Sequence, residues 1–159
     1  MATNAFADGF TSQGSQVKLP TPALILREQG ESMILALVED LIFLSKIEET
    51  AKVLGIPVQA AGVADVVARV RDNPVRGLLI DLNHRSGRAV ELIEQLKSEG
   101  GTAAIPLVGF LSHVQTDLAA SARAAGCDMV LARSAFVKQL PELLANLEGQ
   151  QPEASPPVP

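Results

Sequence analysis

MILALVEDLIFLSKIEETAKVLG, residues 33–55, changes its hydrophobic period part-way along. Residues 33–38 are an unbroken apolar run, as a strand covered on both faces requires. Leu41, Leu44, Ile47, Ala51 and Leu54 then recur at helical spacing, and Gly55 stops that helix. A doubly buried strand that runs straight into an amphipathic helix is one β–α unit.

The rhythm continues towards the C-terminus. Residues 58–61 form a weak second strand, and Val63, Val66, Val67 and Val70 form a short helix closed by Asn73-Pro74. A third strand at 75–80 precedes a helix marked by Ala89, Leu92, Ile93 and Leu96 and closed by Gly100-Gly101. A fourth strand at 105–111 precedes a helix through Leu118, Ala122 and Ala125 that ends at Gly126. The fifth strand, 129–132, leads to a last helix carrying Phe136, Leu140, Leu143, Leu144 and Leu147. Right-handed crossovers place helices on both faces of a parallel sheet. Five strands are too few for a closed eight-stranded barrel. The expected fold is therefore α/β: a flavodoxin-like (βα)5 three-layer sandwich with a five-stranded parallel sheet in the order 2-1-3-4-5.

The rest of the chain frames this unit. Its 159 residues suit one domain with flexible ends. The expected division is a flexible arm at 1–22, a folded domain at 23–148 and a Pro-rich disordered tail at 149–159, which holds four of the ten prolines. The apolar patch at 23–26 reads as an extra strand or a helical turn. Apolar residues make up 47% and charged residues 19%, enough for a packed core. A formal charge of −5 and the absence of Trp and Tyr argue against a nucleic-acid partner. No apolar run approaches the roughly 20 residues of a membrane span, and the start lacks the pattern of a signal peptide. A single cysteine, Cys127, leaves no internal disulfide and fits a cytoplasmic protein.

Ligands of such sheets bind at the carboxyl ends of the strands. Glu39 and Asp40 follow the first strand there, and Asp81, Asn83, His84 and Arg85 the third. Ser112 and His113 follow the fourth, and Arg133 and Ser134 the fifth. A carboxylate cluster suits a hard cation such as Mg²⁺. Asp81 can also act as a phosphoryl acceptor. Arg133 can contact a phosphoryl oxygen or simply pair with Asp81. Against all of these stands the plain tendency of polar residues to collect where strands end.

From Met33 to Leu144 the chain resembles the receiver domain of two-component response regulators. Met33-Ile-Leu-Ala-Leu-Val-Glu39-Asp40 resembles that family's first strand and acidic pair, and Gly77-Leu-Leu-Ile-Asp81-Leu-Asn83 its phosphoacceptor strand. Ile105-Pro106-Leu107-Val108 resembles its fourth strand. The run from Ala124 to Arg133 resembles its A-x-G-A-D motif and fifth strand. The resemblance implies Asp81 as phosphoacceptor and a Mg²⁺ site from Glu39, Asp40, Asp81 and the backbone carbonyl of Asn83. Counting back from Gly55 favours a shifted register in which the acidic pair falls on Val38 and Glu39.

The departures from the family are specific. Its fourth strand ends in Thr or Ser, where Leu111 stands here with Ser112 one residue late. Its fifth strand ends in Lys-Pro, where this chain has Arg133-Ser134. Its aromatic switch residue falls on Val130. The loop after Asp81 lacks Met-Pro. Such departures resemble degenerate, or pseudo-, receivers. Ser112 and Arg133 remain as phosphoryl contacts, and the switch positions Leu111 and Val130 are lost.

Other constellations are weaker. His84 and His113 on the same rim allow a transition-metal site, but no close histidine spacing supports one. The Asp81–Gly87 run misses the cobalamin-binding pattern by one residue. No phosphate-cradling glycine motif is present. Cys127 reads as packing.

The expected function is a stand-alone receiver-like module that acts by protein–protein interaction, with an impaired phosphoryl switch and no enzymatic activity of its own. The alternative is a phosphorylatable regulator that uses Asp81 and Mg²⁺, and more remotely a metal-dependent enzyme. The expected partners are other signalling proteins, a histidine kinase or phosphotransfer protein among them, with a homodimer left open. Two geometric expectations follow: a bidentate Arg133–Asp81 ion pair, and a constitutive docking face near Gln115, Arg123, Ser134 and Lys138.

Overall fold

The chain divides into Met1–Glu31 and Ser32–Pro159. The computed structural model describes residues 32–112 and 115–149, all in the second unit. The arm, the patch at 23–26, His113 and residues 150–159 of the tail lie outside the described residues.

Ten elements alternate: β1 (Met33–Leu37), α1 (Leu41–Leu54), β2 (Val58–Ala60), α2 (Val66–Asp72), β3 (Val75–Asp81), α3 (Ala89–Ser98), β4 (Leu107–Leu111), α4 (Thr116–Ala125), β5 (Met129–Ala132) and α5 (Arg133–Gly149). All strand pairs are parallel, in the order β2-β1-β3-β4-β5. This is the flavodoxin-like sandwich expected from the strand–helix rhythm.

Successive strand residues face opposite sides of the sheet, so each central strand feeds two half-cores. Ile34, Ala36, Leu79, Val108 and Phe110 pack with α1 and α5. Leu35, Leu37, Leu78, Ile80, Leu107 and Leu111 pack with α2, α3 and α4. That double burial is why the central strands carry no polar alternation. The edge strands differ: Gln59 and Ala60 of β2 and Met129 of β5 are exposed.

Local chemistry sets the limits of α1. Asp40 is its N-cap, and one carboxylate oxygen accepts from the amides of Ile42 and Phe43, each at 3.0 Å. Such a cap is worth about 1 kcal/mol. Gly55 closes the helix in the left-handed conformation, φ 73°, which costs a glycine nothing.

Strands β1, β2 and β3 end one residue from the expected positions, and three further boundaries differ from the periodicity by more. Val63 lies in a turn rather than in the second helix, because Asp65 accepts from the Gly62 amide at 2.8 Å and holds the chain in that turn until Val66. Ile105 and Pro106 precede β4 instead of joining it. Pro106 has no N–H for a ladder, and its carbonyl accepts from Leu78 at 3.0 Å. The last helix starts at Arg133 rather than near Phe136, so β5 enters α5 with no loop.

Candidate functional site

Asp81 is the last residue of β3 and only 4% exposed. It alternates with Ile80 and Leu82, which belong to the opposite half-core, so its carboxylate lies on the α1 and α5 side. One of its oxygens accepts from the Asn83 amide at 2.9 Å. The other faces an Arg133 guanidinium nitrogen at 3.5 Å.

Arg133 does not form the expected bidentate fork with Asp81. Its second terminal nitrogen lies 3.5 Å from Asp40, so the guanidinium bridges the two acids. The cause is position. As the first residue of α5, Arg133 reaches across the strand ends to the start of α1, where Asp40 has an oxygen left over from capping. Its guanidinium carbon sits 4.5 Å from the centre of the Phe43 ring and 5.6 Å from that of Phe110, within cation–π range. Phe43, Phe110 and Phe136 contact one another with centroids 4.5–5.7 Å apart, a buried aromatic platform beneath the cation.

Glu39 turns away towards the β3–α3 loop. It accepts from the Arg85 amide at 2.9 Å and pairs with the Arg85 side chain at 3.2 Å. Asn83 ties two loops together. Its side-chain oxygen accepts from the Ser112 amide at 2.9 Å, and its side-chain NH₂ donates to Gln115. Ser112 is thus held through its backbone, and its side chain is exposed. His84 is half-buried and bonds Ser86 at 3.0 Å.

The two acids of the bridge differ in electrostatics. The amide of Phe43 holds the Asp40 carboxyl below its usual value, and Ile42 and Arg133 add to this. Burial pushes the Asp81 carboxyl above its usual value, more strongly than the Asn83 amide, Arg133 and His84 pull it down.

Glu39, Asp40 and Asp81 are hard oxygen donors of the kind Mg²⁺ takes. They do not converge on a common point: each carboxylate oxygen faces an N–H of Arg85, Arg133, Ile42, Phe43 or Asn83. Among the described residues no three acidic, His or Cys side chains form a group that could hold a metal ion. His113 lies outside the described residues, and the expected His84–His113 site lies outside them with it.

No protein-family model matches the sequence, and no curated protein matches it. Solved structures do. The phosphorylated cyanobacterial phytochrome response regulator RcpA is 18% identical with a TM-score of 0.61, covering 81% of this chain and 99% of its own. A response regulator from Hahella chejuensis is 16% identical with a TM-score of 0.65, covering 75% and 96%. The receiver domain of a sensor histidine kinase from Pseudomonas aeruginosa, with a magnesium ion coordinated in its active-site cleft, is 18% identical with a TM-score of 0.59, covering 76% and 99%.

The chain folds as a response-regulator receiver domain. At these identities the likeness is one of fold. Within the receiver fold, Leu111 ends β4 and is 4% exposed, packed on the α3 and α4 side, opposite the Asp81 carboxylate. Its register partner on β5 is Ala132, one residue before Arg133. Val130 is half-buried in β5. With Ala119 and Leu111 it lines a groove of about 210 Å³ between α4 and β5, with Gln115 and Arg123 also on its walls.

Periodicity named Asp81, Asp40 and Arg133 as rim residues but missed Phe43, Phe110 and Gln115 as parts of the same assembly. Phe43 and Phe110 carry the signal of ordinary core residues. Nothing in their spacing shows that they meet beneath a guanidinium.

Proposed function

We propose that this chain is a receiver-like signalling module that works by docking to other proteins, with Asp81 withheld from phosphoryl transfer. The observation that carries the reading is the Arg133 bridge between Asp81 and Asp40. An acylphosphate on Asp81 needs the space and the charge that this guanidinium already occupies. Leu111 and Val130 offer no hydroxyl or aromatic tip to a phosphoryl group. Without contacts that differ between two states, modification cannot shift an equilibrium between them.

The docking surface of this reading is the face built by α4, β5 and α5. Met129 is 41% exposed there, and Arg123 and Lys138 are exposed cations. The module is cytoplasmic, is not an enzyme, and takes its partners from signalling proteins. No helix among the described residues is long and apolar enough to cross a membrane.

One observation favours the alternative, a phosphorylatable regulator using Asp81 and Mg²⁺. The 3.5 Å contacts of Arg133 are longer than the roughly 2.7–2.9 Å of tight charge-assisted bonds. Acetyl phosphate separates the readings, because it needs no cognate kinase. Incubated with Mg²⁺ and acetyl phosphate, the protein is expected to gain no phosphoryl mass at Asp81. Stoichiometric acylphosphate, absent in Asp81→Asn, would establish the alternative.

A further inference from the structure

We propose that Arg133 is the resident cation of this acid cluster, engaging two of the carboxylates a divalent ion would need, so that the intact protein takes up no Mg²⁺ there. The inference rests on the docking-module reading and concerns the same site.

Three independent features support it. The first is donor occupancy. Asp40 spends one oxygen on the Ile42 and Phe43 amides and turns the other to Arg133, and Asp81 divides its oxygens between the Asn83 amide and Arg133. A divalent ion needs several oxygens converging on one point, and here the free oxygens of Asp40 and Asp81 each face a separate nitrogen of one guanidinium. The second is the platform. Arg133 lies over Phe43 and Phe110, which are themselves buried, so the cation is held from below as well as at its nitrogens. Displacing it costs the ring contacts as well as two ion pairs, and an arginine cannot yield by losing its charge. The third is the third acid. Glu39 is drawn off by the Arg85 amide and side chain, which leaves the cluster one carboxylate short of a common centre.

The consequence is mechanical as well as electrostatic. One side chain at the start of α5 ties the start of α1 to the end of β3.

Magnesium itself is the probe, followed through the backbone amide signals of Glu39, Asp40 and Asn83 and through the melting temperature of the full chain. Wild type is expected to show no saturable response to millimolar Mg²⁺. Arg133→Met, which keeps a stem to pack on Phe43 and removes the charge, is expected to bind Mg²⁺ at least tenfold more tightly than wild type and to melt higher in its presence. The double variant R133M/D81N should lose that gain. Arg133→Gln serves in the same way if the methionine variant does not fold. Saturable Mg²⁺ binding by wild type at millimolar concentration overturns the proposal whatever the variants do. A folded variant that gains nothing also overturns it, as does a gain that survives Asp81→Asn. Mg²⁺ binding without acetyl-phosphate labelling would defeat this inference and leave the docking reading intact. Labelling of a protein that binds no Mg²⁺ would do the reverse.

Discussion

The guanidinium carbon of Arg133 lies 4.5 Å from the centre of the Phe43 ring, joining the first residue of α5 to the first turn of α1. The contact sets a cation on an aromatic face with two carboxylates at its edge, so the site and the α1/α5 half-core are one assembly.

Truncating the platform should therefore act twice. Phe43→Ala removes a buried ring that packs on Phe110 and Phe136 and leaves Arg133 without its support. The expected loss is about 3 kcal/mol of unfolding free energy, read by urea denaturation. A loss under about 1 kcal/mol would mean that the ring is not packed as described.

Neutralising Asp81 should stabilise the protein. Its folded carboxyl titrates above the usual value because of burial. A raised carboxyl contributes stability that is full below the unfolded value of 3.8 and is lost as pH rises through the folded value. At neutral pH the ionised group is a net cost, and Asp81→Asn removes it. Melting at pH 7 should rise by about 2 °C or more. The advantage should shrink as the pH is lowered towards 4. A lower melting temperature for the variant at pH 7 would show that the Arg133 contact outweighs the burial.

Cys127 should be chemically silent in the folded protein. It is 7% exposed, its thiol contacts the carbonyls of Leu107 and Met129 at 3.4 and 3.3 Å, and burial pushes its titration above the usual value. Both lack of access and lack of thiolate slow alkylation. Iodoacetamide labelling at pH 8 should follow the unfolding rate and become fast in denaturant. Rapid labelling of the native protein would contradict this burial.

Gly126→Ala should destabilise the link between α4 and β5. Gly126 sits at φ 112°, and an added Cβ would come within 2.8 Å of Lys97 Cγ. Lys97 has little freedom to retreat, because its ammonium donates to the carbonyls of Ala103 and Ile105 and to Asp128. The expected cost is at least about 1 kcal/mol, with urea denaturation again as the measure. A neutral result would mean that the Lys97 stem moves aside and the turn relaxes.

The order of elements was legible in the chain because burial leaves periodic traces. Residues 33–38 and 78–80 are apolar without alternation, as strands between two helix layers must be. Leu44, Ile47 and Ala51 repeat as one buried helix face must, whereas Leu41 and Leu54, expected on that face, are 74% and 43% exposed, and Phe43 is buried with it instead. The same logic placed Asp81 on the binding rim, since it is the first charged residue after an apolar strand. Boundaries set by single hydrogen bonds were not legible. The Asp65–Gly62 bond delays α2 to Val66, and the direct passage of β5 into α5 puts Arg133 on a helix. Periodicity registers faces and carries no record of such bonds. The character of the site lay furthest from the sequence. Asp40, Asp81 and Arg133 stand 41 and 52 positions apart along the chain, and only the crossovers of the sheet bring them together. Whether Arg133 would meet one acid or two depended on where α5 begins and on which oxygen of Asp40 was already capping α1. Those are facts of packing in three dimensions. A one-dimensional pattern determines which residues are buried; the distances between charges from different strands are decided when the layers close.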